Sequence, residues 1–246
     1  MRLINVQTLD LVEFVEPDIP NYAILSHTWS SDEVSLHDFV TKASQQSQGY
    51  QKVASFCAVC LQLGLAWAWV DTCCIDKSNG AELSEAINSM FRFYKNSNTC
   101  IAYLSDVPAP QNTPWDRDDN HTFQKSKWFT RGWTLQELLA PKRVVFYSSE
   151  WKSIGEKSSL TEVIATASGI DENYIRTPKN VGLACVAQKM SWVSRRQTTR
   201  EEDMAYCLLG LFRVNMPLLY GERGRAFLRL QEEILKVSAD HTIFAW

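Results

Sequence analysis

Residues Gly49–Val70 read GYQKVASFCAVCLQLGLAWAWV, and the fold is decided inside this stretch. Apolar residues at 53, 56, 57, 60 and 61 follow the i, i+3, i+4, i+7 spacing of a helix with one buried face, which predicts an amphipathic helix over Gly49–Leu65. The period then changes. Trp67–Val70 is a short, continuous apolar run, the pattern of a strand buried on both faces of a sheet.

Working outward, the same alternation recurs. Apolar residues at 83, 86, 87, 90, 91 and 94 predict a second helix, started by Asn79 with Glu82 in capping-box spacing and ended at Ser97-Asn98. Tyr22–Ser26, Cys100–Leu104 and Arg143–Tyr147 are further buried-strand candidates. Strands alternating with helices imply right-handed crossovers and a parallel sheet. We therefore expect an α/β, flavodoxin-like core over residues 1–150, with Tyr22–Ser26 and Trp67–Val70 central and helices on both faces.

The remainder, 151–246, is expected to be an appended C-terminal helical layer, with no polar linker before it. Thr198 and Thr199 precede Glu201 and Glu202 by three residues, which predicts a helix reaching about Phe212. A last helix is expected over Arg225–Val237, separated from it by Pro217 and the Gly221–Gly224 stretch. Asp106–Asn120, with Pro108, Pro110 and Pro114, is expected to be an exposed, irregular connection. The apolar ending Phe244-Ala-Trp246 reads as a piece of a longer chain.

Composition excludes several classes. The 246 residues are 45% apolar and carry a net charge of −3, so no global positive field gathers DNA or an anionic membrane. The longest apolar stretch, Leu61–Val70, falls short of the ~20 residues of a membrane span, and the N-terminus lacks a secretory signal pattern. A cytoplasmic location is expected. Seven cysteines in apolar segments read as buried, reduced thiols, and Cys57-x-x-Cys60 finds no second ligand pair for zinc, so no metal is expected.

G-x-G-x-x-G and P-loop patterns are absent. Ser26 and His27 are adjacent on a strand, point to opposite faces and make no catalytic pair. Lys189, Arg195, Arg196 and Arg200 read as a solvated basic face. What remains is the polar residues following two strands, Ser26 to Trp29 and Asp71 to Asp76, where open α/β sheets bind ligands. Trp133 and Glu137, spaced i, i+4, share one helix face.

Tyr22-Ala-Ile-Leu-Ser-His-Thr-Trp29, Trp69-Val-Asp-Thr-Cys-Cys-Ile-Asp76 and Arg131-Gly-Trp-Thr-Leu-Gln-Glu-Leu-Leu-Ala-Pro141 together resemble the HET (heterokaryon incompatibility) domain of filamentous fungi. HET domains are considered relatives of TIR domains, and Trp133-Thr-Leu-Gln-Glu-Leu138 is similar to a TIR motif whose glutamate is catalytic in NAD-cleaving members. Thr134 stands where that motif has cysteine, and Gly132 precedes the tryptophan. The resemblance implies a TIR-like fold in a cell-death protein of fungal innate immunity. It also implies an NAD glycohydrolase active as a homo-oligomer, with Glu137 catalytic, and further domains C-terminal to this segment. NAD is then substrate, with no resident cofactor. Ser26, His27, Trp29, Asp71, Arg131 and Trp133 are the candidates to line the nucleotide cleft, Arg131 by pairing with a pyrophosphate. The competing reading is a non-catalytic adaptor that signals by self-association. An enzyme requires Glu137 beside a cleft, whereas an adaptor can present it on the surface.

Overall fold

The computed structural model describes residues 1–109 and 117–245. Seven strands form one sheet: β1 (Arg2–Asn5), β2 (Leu11–Glu13), β3 (Ala23–His27), β4 (Trp67–Trp69), β5 (Thr99–Tyr103), β6 (Val144–Tyr147) and β7 (Ser153–Glu156). Their order is β2-β1-β4-β3-β5-β6-β7. The middle four strands are parallel, and β3 is hydrogen-bonded on both sides, with Ala23 opposite both Ala68 and Thr99. β1, β2 and β7 extend the sheet antiparallel at its two edges. All of β3, and β5 up to Ala102, are buried, which explains why these strands read as continuous apolar runs.

The fold is thus α/β with a mainly parallel centre, as expected, and the strand boundaries fall within one residue of those read from the sequence. Three strands were not anticipated. β2 is a short edge strand, β1 lies between it and β4, and β7 lies beyond residue 150, so the expectation of purely helical structure after Tyr147 is corrected. The sequence Ser-Ile-Gly-Glu of β7 is mostly polar, and its strand conformation comes from pairing with β6.

The helices are α1 (Leu36–Thr41), α2 (Gln48–Gln62), α3 (Gly80–Asn96), α4 (Arg117–Gln124), α5 (Thr134–Leu139), α6 (Thr161–Ser168), α7 (Glu172–Arg176), α8 (Val186–Val193), α9 (Asp203–Tyr206), α10 (Leu209–Phe212) and α11 (Arg225–Val237). Asn79 caps α3 by accepting from Ala81 N and Glu82 N, but the expected capping box does not close. Glu82 instead binds Arg2 of β1 and accepts from Asp76 N. The connection expected over Asp106–Asn120 includes residues 110–116, outside the described residues, and its end belongs to α4.

The single helix expected up to Phe212 is two short ones, α9 and α10. Thr198 does not cap either: its hydroxyl donates to Arg200 O at 2.6 Å, closing a turn before α9. α10 packs on α3 so closely that a Cβ at Gly210 would lie 2.0 Å from Phe91 Cβ. The helical layer therefore docks on the α/β core through buried Leu209, Leu211 and Met216, with Asn88 of α3 bonded to both the N–H and the carbonyl of Met216.

Candidate active site

A cleft of about 290 Å³ opens at the carboxyl ends of β3 and β4. It lies outside the carboxyl ends of parallel strands, where open α/β sheets bind ligands. Glu137 of α5 lines it, together with His27, Trp29, Asp71, Arg131 and Trp133. Of the residues expected there, Ser26 alone is absent from the lining. It sits behind Glu137, in a fully buried position at the end of β3.

Ser26 defines how Glu137 is held. Trp128 Nε1, which can only donate, bonds Ser26 Oγ at 2.8 Å. The serine hydroxyl hydrogen is left for Glu137 Oε2, to which it makes a short hydrogen bond. Oε2 is thereby fixed as an acceptor. The Tyr94 hydroxyl lies against the same carboxyl and donates to Leu25 O at 2.9 Å. Glu137 is only 7% exposed, and burial pushes its carboxyl up to about 8. The charge of Asp71 pushes the same way, against the Ser26 hydrogen bond and the Arg196 guanidinium.

α5 is short, and its position depends on what surrounds it. Arg196, expected to be a solvated cation, is buried. Its Nη1 donates to Arg131 O and to Thr134 Oγ1, both at 2.9 Å, and its Nε donates to Trp192 O. Gly132 N donates to Gln197 O at 2.9 Å, and Gln197 N donates to Thr130 O at 2.7 Å. A Cβ at Gly132 would stand 2.5 Å from Thr198 Cγ2, so a larger residue there displaces that side chain. Gly132 and Thr134, the two departures from the TIR motif, are thus the positions on which residues 196–198 dock. At the other end of α5, the buried Lys157 Nζ donates to Leu138 O and Pro141 O, satisfying carbonyls that the helix end leaves open. Burial holds that ammonium down to about 8.

His27 lines the cleft with a side chain 1% exposed. Its Nε2 is 3.7 Å from Glu33 Oε2 and 3.8 Å from Asp71 Oδ1, too far to hydrogen-bond, and neither ring nitrogen has a partner among the described residues. Burial holds the imidazole down to about 3; Lys52 and Lys77 act in the same direction and Glu33 opposes them. Asp71 accepts from Trp29 Nε1 at 2.9 Å, and Lys77 Nζ sits 3.7 Å from the centre of the Trp29 ring.

Sequence reasoning missed two parts of the lining. One wall is apolar, formed by Ile75 and by Leu83, Ile87 and Met90 on one face of α3. The helical periodicity that located α3 marks that face but does not say that its first turns border a cavity. The other part comes from the helical layer, as Thr199, Arg200, Asp203 and Tyr220. Among the described residues no cluster of three or more His, Cys, Asp or Glu can hold a metal ion, and no helix is long and apolar enough to cross a membrane.

This is an α/β protein with a carboxyl group buried at the floor of a strand-end cleft. The profile of the family described as "Heterokaryon incompatibility protein (HET)" matches residues 22–125. The chain is 48% identical over 223 residues, 89% of its length, to the vegetative incompatibility protein HET-E-1 of Podospora anserina, and spans 16% of that relative. These matches identify a heterokaryon incompatibility (HET) domain in the chain. No solved structure matches it significantly.

Proposed function

We propose that this HET domain is the effector of an incompatibility, or cell-death, response and that it hydrolyses the nicotinamide glycosidic bond of NAD. One observation carries the reading: Glu137, the residue aligned by resemblance with the TIR glutamate, lies at the floor of a cleft and not on the surface. That is the arrangement an enzyme requires and an adaptor does not. The name of the Podospora relative supports the biological role.

The chemistry suits a single carboxyl group. The C–N bond breaks with its electron pair leaving on the nicotinamide nitrogen, so the leaving group departs neutral and needs no acid. The ribose passes through an oxocarbenium-like state, which the Glu137 carboxylate stabilises directly or through the ribose hydroxyls. Water then forms the new C–O bond and its proton passes to a base, for which Glu137 is placed. A carboxyl with a pKa of about 8 is half neutral near that pH, and the cationic nicotinamide ring favours its ionised form on binding. Trp29, Trp133 and the α3 wall offer flat and apolar surface to rings, and Arg131 offers paired donors to phosphate oxygens.

We further propose that the domain works as a homo-oligomer in the cytoplasm, driven by other parts of a longer protein, with neither DNA nor membrane as partner. Incubating the purified domain with NAD and separating nicotinamide from the nucleotide product by chromatography tests the activity. Nicotinamide release is the expected result; a folded domain that leaves NAD intact, alone and when fused to an oligomerising partner, overturns it.

A further inference from the structure

The helical layer contributes a charged segment to the cleft that the proposed chemistry at Glu137 does not use. Residues 197–200 are laid along 130–132 by the Gln197 backbone bonds and the buried Arg196. This brings Thr199 against Arg131, whose Nη2 donates to Thr199 Oγ1 at 3.2 Å. The turn closed by Thr198 Oγ1 then directs Arg200 to the same cleft, its guanidinium carbon 4.4 Å from the centre of the Tyr220 ring. A guanidinium held against a ring by its face keeps its in-plane N–H donors for another partner.

Neither arginine makes an ion pair among the described residues, whereas Arg2, Arg92, Arg143, Arg176 and Arg229 each meet a carboxylate. Asp203 lines the same cleft, and its Oδ1 accepts from Tyr220 Oη at 2.9 Å. Burial pushes its carboxyl up, against the Tyr220 and Trp133 hydrogen bonds and the charge of Arg200. Two guanidiniums without an ion pair, one of them bonded to a threonine hydroxyl, line one cleft with the apolar residues of α3 and complement a ligand with an anionic part and a flat apolar part.

We infer that Arg131, Thr199 and Arg200 form an anion subsite for the diphosphate of a nucleotide, so that the helical layer forms part of the substrate site. The inference rests on the cleft of the proposed function being where substrate binds, but it does not require NAD cleavage. Paired guanidinium donors match phosphate oxygens, and two arginines match two phosphoryl groups. Arg200 is exposed and bonded to nothing the core needs, so its replacement leaves the fold in place.

Titration calorimetry with ADP as the probe and adenosine as its uncharged comparator tests this, using the whole chain. ADP should bind at least tenfold more tightly than adenosine. Arg200→Gln and Arg131→Gln should each weaken ADP at least tenfold while leaving adenosine unchanged, with melting temperatures confirming the fold. Equal binding of ADP and adenosine, no binding of ADP, or an Arg200→Gln variant that binds ADP like the wild type overturns the subsite. Arginine-dependent ADP binding by a domain that does not cleave NAD upholds the subsite and overturns the proposed reaction instead.

Discussion

The proton of Glu137 is the most consequential detail at the scale of single residues. If its carboxylate is the working form, kcat/KM for NAD should fall about tenfold per pH unit below about pH 8, since that parameter reports the free enzyme. The limb of kcat should lie lower, because the bound cationic ring favours ionisation. A pH-rate profile checks both. The same group affects stability. A carboxyl raised in the folded state favours folding at low pH, and that contribution is lost as pH rises from about 4.5 through about 8. Urea melts of Glu137→Gln should therefore lose less stability over this window than wild type. His27 has the opposite sign. Its folded pKa of about 3 is depressed, so its contribution is present above pH 6.5 and lost as pH falls toward 3. Between pH 6.5 and 5 the wild type should lose about 2 kcal/mol that a His27→Gln variant retains. Equal losses in urea melts would mean that the folded imidazole is protonated by pH 5.

The elements around Glu137 explain why the site was only partly legible. β3, β4, β5 and β6 carry their burial in their own composition, and α2 and α3 in their periodicity, so each is readable locally. β1, β2 and β7 are three or four residues long, and pairing across the sheet creates them. Arg196 shows the same limit for a side chain. In a run of basic residues it reads as solvated, and its burial follows only from the backbone carbonyl and threonine hydroxyl that receive it. The Trp133–Glu137 spacing gave the shared face, whereas the docking of 196–198 on Gly132 involves residues more than sixty positions apart. Gly132→Ala tests that docking. The added carbon would collide with Thr198 Cγ2 and should cost about 1 to 3 kcal/mol, read by urea melts at pH 7. Faster proteolysis after residue 193 should accompany it. An unchanged melt would show that the two segments separate without consequence.

Considered as a whole molecule, the cleft is shared between a parallel sheet and the helical layer that follows it, so neither part holds the complete lining. The chain spans 16% of the length of its Podospora relative. If assembly activates the domain, activity per molecule should rise with protein concentration or on fusion to an oligomerising partner, because linking raises effective concentration. Constant activity per molecule from dilute monomer to forced oligomer would refute it. The central claim is tested most directly by the initial rate of nicotinamide release from NAD by wild type and by Glu137→Gln, at equal concentration in the forced oligomer. The account predicts turnover by the wild type and a loss of at least about a hundredfold in a Glu137→Gln variant of unchanged fold. Release at the same rate by both proteins, or by neither, would contradict it.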